Sequence, residues 1–164
     1  VRHTGGGTGA AAIASSDASP KVTNVTVTVS PSSLCSVGIR NRNSSPIIAG
    51  ARVTATGSGA AVSCVGIYND TGSLPTIRNA AVTASAGNPN IGIFSGGDST
   101  HPGRVRIYDS VIKATTNTIS TPGEVIVMVF NAQMDGGGII GTGTTHCVGV
   151  YDENYVLSPY GACP

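Results

Sequence analysis

The sequence predicts an all-β fold: a solenoid of stacked parallel strands, about five coils of roughly 27 residues each. Three observations predict it. First, an apolar phrase, Ile77-x-Asn79-x-x-Val82-x-Ala84, recurs along the chain. Its other copies are Val22/Asn24/Val27/Val29, Ile48/Gly50/Val53/Ala55, Ile107/Asp109/Ile112/Ala114 and Val129/Asn131/Met134/Gly136, at steps of 26, 29, 30 and 22 residues (22→48→77→107→129). Second, a shorter phrase runs out of phase with it at Ile13, Ile39, Ile67, Ile93, Ile119 and Val150, with Gly38, Gly66, Gly92 and Gly149 preceding four of these. Third, the apolar residues alternate, as in Val27-Thr28-Val29 and Val53-Thr54-Ala55, and no window holds an apolar stripe at helical spacing. A period of this size is the mark of a repeat architecture, and alternation selects strands. One coil cannot bury its apolar face alone; a stack can, with like strands about 4.8 Å apart.

The column Asn24, Gly50, Asn79, Asp109, Asn131 supports one bend repeated in every coil. Asn, Asp and Gly tolerate left-handed backbone or bond their own backbone at a bend. With this ladder and the phrase GIYNDTGSLPTIRNAAVTA, the chain resembles the right-handed parallel β-helix proteins, the pectate-lyase-like superfamily, and in particular repeat proteins of secreted or surface bacterial type. The resemblance spans roughly residues 10–154. It implies the fold and assigns no activity.

Taken in order, residues 1–18 are expected to be a flexible N-terminal segment (VRHTGGGTG) followed by an incomplete first coil carrying Ile13. Residues 19–154 form the β-helix, and residues 155–164, rich in Pro and Gly, form a closing tail. The 164 residues suit one domain. Charged residues make up 10% and the net charge is +1, which argues against a nucleic-acid partner; no apolar run is long enough for a membrane span.

Four cysteines, Cys35, Cys64, Cys147 and Cys163, allow three pairings. Cys35 and Cys147 lie about four coils apart, roughly 19 Å at the strand spacing, and Cys64 and Cys147 are placed in one column three coils apart; both separations exceed the roughly 7 Å limit for a bridge. The expected disulfides are Cys35–Cys64 and Cys147–Cys163, and they point to an oxidising, extracellular or cell-surface setting. No Cys or His pair has zinc-ligand spacing, so no metal and no cofactor is expected.

Three sequons, at Asn24, Asn43 and Asn69, are candidate glycosylation sites. Asn43, in RNRNSSP, is the best placed, whereas Asn24 belongs to the bend ladder. The Thr-rich loops Thr115–Thr121 and Thr142–Thr145 are candidates for O-linked sugar. Two outward columns carry aromatic and basic residues: Arg40, Tyr68 and Phe94, and Arg78, Tyr108 and Phe130. Such ladders either bind sugar or merely cover the sheet. A Thr column (Thr28, Thr54, Thr83) is broken by Lys113 and Asp135, which speaks against an ice-binding face.

No catalytic constellation is readable. A hydrolase of polysaccharides needs close carboxylates, and no two of the eight acids fall at neighbouring positions of one column. His3, His101 and His146 are scattered. The expectation is therefore a non-enzymatic extracellular structural subunit that assembles head to tail with itself into a filament. The alternative is a glycan-binding or adhesion module cut from a larger surface or phage-tail-like protein. A polysaccharide lyase or hydrolase relative without a readable active site is the outsider.

Overall fold

The computed structural model describes residues 2–3, 10–30, 36–57, 63–159 and 161–164. They form three parallel sheets of six strands each, coiled into a β-solenoid. Sheet A contains β1 (Arg2–His3), β4 (Thr26–Val29), β7 (Arg52–Thr56), β10 (Ala81–Ser85), β13 (Val111–Ala114) and β16 (Gln133–Gly136). Sheet B contains β2 (Ala10–Ser16), β5 (Ser36–Arg42), β8 (Cys64–Asn69), β11 (Asn90–Ser95), β14 (Asn117–Thr121) and β17 (Ile139–Gly141). Sheet C contains β3 (Lys21–Thr23), β6 (Ile47–Ala49), β9 (Thr76–Arg78), β12 (Gly103–Tyr108), β15 (Val125–Phe130) and β18 (Thr144–Val148). Every third strand pairs, so each coil contributes one strand to each sheet.

The registers follow the apolar phrases. Val22, Ile48, Ile77, Ile107 and Val129 stand in one column of sheet C, extended by Cys147. Val27, Val53, Val82, Ile112 and Met134 stand in one column of sheet A. Ile13, Ile39, Ile67, Ile93 and Ile119 form the sheet B column. These columns meet in one continuous core. Most of its isoleucines are wholly buried, each stabilising the fold by roughly 1.5–3 kcal/mol relative to exposure. A second, smaller cluster, Val37, Val65 and Ile91, packs with Tyr68 and Phe94.

The glycines of the shorter phrase have a steric cause. A Cβ on Gly92 would lie 2.5 Å from Ile112 Cγ2 and 2.6 Å from the Thr118 carbonyl oxygen. At Gly38, Gly66 and Gly92 sheets A and B approach too closely for a side chain, whereas Ala12 and Thr118 take the same position in the rungs on either side.

The corners differ in kind. Between sheets C and A the chain always turns in two residues: Asn24-Val25, Gly50-Ala51, Asn79-Ala80, Asp109-Ser110 and Asn131-Ala132. The B-to-C corner varies, taking seven residues between Ser95 and Gly103 but three between Thr121 and Val125. The uneven repeat steps arise at the variable corners.

Two expectations need correction. Ile139, not Val150, follows Ile119 in the sheet B column, because the last coil is shortened; Val150 instead follows Gly149 at the C-to-A corner. Cys64 and Cys147 do not share a column: the first lies in sheet B and the second in sheet C. Within residues 1–18, β1 pairs with β4 and β2 with β5.

Candidate functional site

The bend ladder is a row of left-handed residues. Asn24, Gly50, Asn79, Asp109 and Asn131 have φ of 52°, 61°, 48°, 47° and 49°, and Gly149 continues the row at 65°. Each of the five donates its backbone N–H to a carbonyl of the next coil, as from Asn79 to Tyr108 at 3.1 Å and from Asp109 to Phe130 at 3.0 Å. Non-glycine residues other than Asn and Asp resist this backbone region, which accounts for the composition of the column. Its task is structural.

A second ladder escaped the sequence reading. Two residues after each isoleucine of the shorter phrase stand Ser15, Asn41, Asn69, Ser95 and Thr121, and the registers align them. Asn41 donates to Asn69 Oδ1 at 2.9 Å, and Asn69 donates to the Phe94 carbonyl at 3.2 Å. Both are buried. The signal was present as a polar residue at a fixed offset on the inward side of the strand. It was masked by the assumption that asparagines belong at bends.

That ladder decides one sequon. Asn69 has no exposed surface and its amide is committed, so it cannot accept a glycan in the folded chain. Asn24, in the bend ladder, is exposed. Asn43 is also exposed; it has φ of 45° and donates to Asp17 Oδ1 at 2.8 Å. This bond, and secondarily the Ser16 hydroxyl, holds the Asp17 carboxyl below its usual range.

The two outward columns form as continuous stacks. Arg40, Tyr68 and Phe94 are neighbours in consecutive coils of sheet B, as are Arg78, Tyr108 and Phe130 in sheet C. Tyr68 and Phe94 lie 4.5 Å apart and 12° from parallel, with the Arg40 guanidinium 5.4 Å from the Tyr68 ring centre. Tyr108 and Phe130 lie 5.1 Å apart and 9° from parallel. Ring faces are thus spent on one another along the stack, and edges point outward. A sugar that needs an open aromatic face finds none on Tyr68.

Beside the first stack, at the B-to-C corner, Arg40, Arg42, Asn43, Asp70, Thr71 and His101 line an open cleft of about 480 Å³. Arg40 Nη2 and Nε donate to Asp70 Oδ2 at 2.9 and 3.2 Å. Asn43 and His101 also wall a neighbouring cleft of about 410 Å³ that includes Leu74, Pro102 and Arg104. The loop between them is self-supporting. Asp98 Oδ1 accepts from the Thr100 hydroxyl and from the Thr100 and His101 backbone N–H groups, and these bonds, the hydroxyl's first, lower its pKa. Donors and acceptors alternate along the corner without a cluster of carboxylates. Among the described residues, no group of three or more His, Cys, Asp or Glu side chains is placed to hold a metal.

The Cys147–Cys163 disulfide is present, with Cα atoms 5.3 Å apart. It draws the tail across the last coil, where Cys163 packs on the core and Gly161 N–H donates to the Cys147 carbonyl at 3.1 Å. Tyr151 bridges Gln133 in parallel and Leu157 in antiparallel fashion. The expected Cys35–Cys64 bridge lies outside the described residues, because Cys35 does. Cys64 itself is buried, and its register partner is Ser36. No family model, no curated protein and no solved structure matches the chain.

Proposed function

We propose that this chain is a non-enzymatic extracellular structural subunit that stacks end to end with copies of itself. The observation that carries the reading is the placement of exposed apolar side chains. Of eight large exposed hydrophobics among the described residues, six (Ile140, Val148, Tyr151, Tyr155, Val156 and Leu157) belong to the last coil and the tail. Tyr155, Val156 and Leu157 stand together in the tail, and clustered exposed apolar side chains mark a contact surface. At the other side of the stack, among the described residues, β1, β2 and β3 each pair with one neighbour, and Ile13 and Val22 cover the core only partly buried. An open strand edge is a template for another chain. A contact between unlike ends is heterologous and generates open filaments unless it closes a ring. The disulfide supports the extracellular setting.

The non-enzymatic part rests on how the carboxylates are used. Asp70 pairs with Arg40 and Asp135 with Lys113. Asp17 accepts from Asn43, and Asp98 and Asp152 each cap their own turn. Each of these five carboxylates already has a structural partner. Negative-stain microscopy of the oxidised protein at high concentration tests the assembly. Linear particles are expected, shortened by Val156→Lys together with Leu157→Lys; dispersed monomers would overturn the reading. The corner clefts favour a second reading, glycan recognition, through their alternating Arg, Asn, Asp, Thr and His groups. Retention of monomeric protein on a glycan array, lost in Arg42→Ala, would support it.

A further inference from the structure

The outward face of sheet C has an unbalanced charge. Its six strands contain Lys21, Arg78, Arg104 and Arg106, and no acidic residue. The whole chain has nine basic and eight acidic residues, so removing these four leaves five basic against eight acidic elsewhere. Sheet C is the most cationic of the three: the sheet A strands hold Arg2, Arg52 and Lys113 against Asp135, the sheet B strands hold Arg40 and Arg42, and most of the acids lie in the corners and the tail. All four basic side chains point away from the core: the residues between them, Val22, Ile77, Val105 and Ile107, belong to it. Among the described residues none of the four is in an ion pair, whereas Arg40 and Lys113, on the other sheets, are each matched by a carboxylate of the next coil. Asp109 directly follows β12 and Glu124 directly precedes β15, both just beyond strand ends.

The other outward side chains of this sheet are mixed: Ile47, Ile126, Met128, Val148 and the stacked Tyr108 and Phe130 are apolar or aromatic, and Thr23, Thr76, Thr144 and His146 are polar. The basic groups are spread over the face rather than drawn into a line. Six in-register strands at about 4.8 Å make this a surface roughly 24 Å long, with the cleft lined by Arg104 and Ile126 at its edge. A linear polyanion is best served by a row of charges in a channel. A surface of dispersed cations among half-buried apolar groups and outward ring edges matches a planar partner with negative groups over an apolar layer.

We propose that the outer face of sheet C docks on an anionic lipid surface. The partner is defined by its chemistry: acidic headgroups for Arg78, Arg104, Arg106 and Lys21, and the upper acyl region for Ile126, Met128 and Phe130. The contact is peripheral, and it stands independently of end-to-end assembly.

Sedimentation with vesicles tests it. The full chain is expected to bind vesicles of phosphatidylserine and phosphatidylcholine, to bind phosphatidylcholine alone far less, and to be released by salt. Arg104→Gln with Arg106→Gln is expected to weaken binding roughly tenfold or more, since each cation near the surface contributes separately. Arg52→Gln with Lys113→Gln removes the same charge from sheet A and should leave binding nearly unchanged. Should the first pair of substitutions disturb folding, arginine modification by phenylglyoxal replaces it: vesicles should shield Arg78, Arg104 and Arg106 of the unaltered protein but not Arg52. Equal losses in both double variants, equal binding to neutral vesicles, shielding of Arg52 alone, or binding to a soluble sulfated polysaccharide but not to vesicles would each overturn the proposal.

Discussion

Ile77 has no exposed surface and sits mid-column between Ile48 and Ile107. An aspartate there would be a buried charge with no counter-ion, so Ile77→Asp is expected to cost more than about 4 kcal/mol and to leave little folded protein by circular dichroism. Gly92→Ala is a subtler probe. Its added methyl would meet the Thr118 carbonyl oxygen, a backbone atom that cannot swing aside. The expected loss is about 1–3 kcal/mol in denaturant unfolding. Asn69→Ala should cost a similar amount, about 1–3 kcal/mol, because Asn41 would keep a buried amide donor with no acceptor. At the surface, Asp17 and Asp98 should titrate by NMR below 3.8, the ordinary aspartate value. A carboxyl whose folded pKa is depressed stabilises the fold above its unfolded pKa, and the contribution disappears as pH falls through the folded value. Acidification should therefore loosen the loop around Asp98 and the contact between Asp17 and Asn43.

At the scale of elements, the tail and its disulfide form the clearest unit. The bridge spans 16 residues, and removing it with Cys163→Ser is expected to cost about 3 kcal/mol on the loop-entropy model, read as a lower thermal midpoint. Reduction of the native protein should add two hydrogens by intact mass for Cys147–Cys163, and four where Cys35 is joined to Cys64. These elements show what could be read in advance. Strand columns were legible because inward residues repeat as Ile or Val with little exception, and the C-to-A corner because Asn, Asp and Gly share one backbone need. The last coil was not legible. Its step falls to 18 residues between Val129 and Cys147, and its column residue is a cysteine, so neither spacing nor residue type announced it. The inner Asn41–Asn69 ladder was missed for the opposite reason. Its pattern was regular, but buried asparagines are polar, and polarity alone reads as exposure.

Over the whole molecule, neighbouring strands within a sheet are separated by about one coil of sequence, so almost no stabilising contact is local. Loop closure must precede each gain in packing, and refolding of the oxidised protein is expected in milliseconds to seconds or slower, at the slow end for its size. Stopped-flow fluorescence of the tyrosines measures this. The same nearest-neighbour plan means that damage should stay near its origin: hydrogen exchange in Ile77→Ala should quicken most in β6, β9 and β12 and least in β18.

The invariant two-residue corner between sheets C and A has a further consequence, for how such a chain can vary. It acts as the spine along which coils of unequal size are bound, and the other two corners are the free margins. One extra residue between Asn79 and Ala80 would turn every later inward side chain of that strand outward, so the insertion should abolish folding. Several residues inserted between Ser99 and Thr100 should open the Asp98 turn but leave the sheets paired. Novelty in this architecture can be written in the margins while the binding edge is left alone, and a library of insertions scored by soluble yield would map that boundary residue by residue.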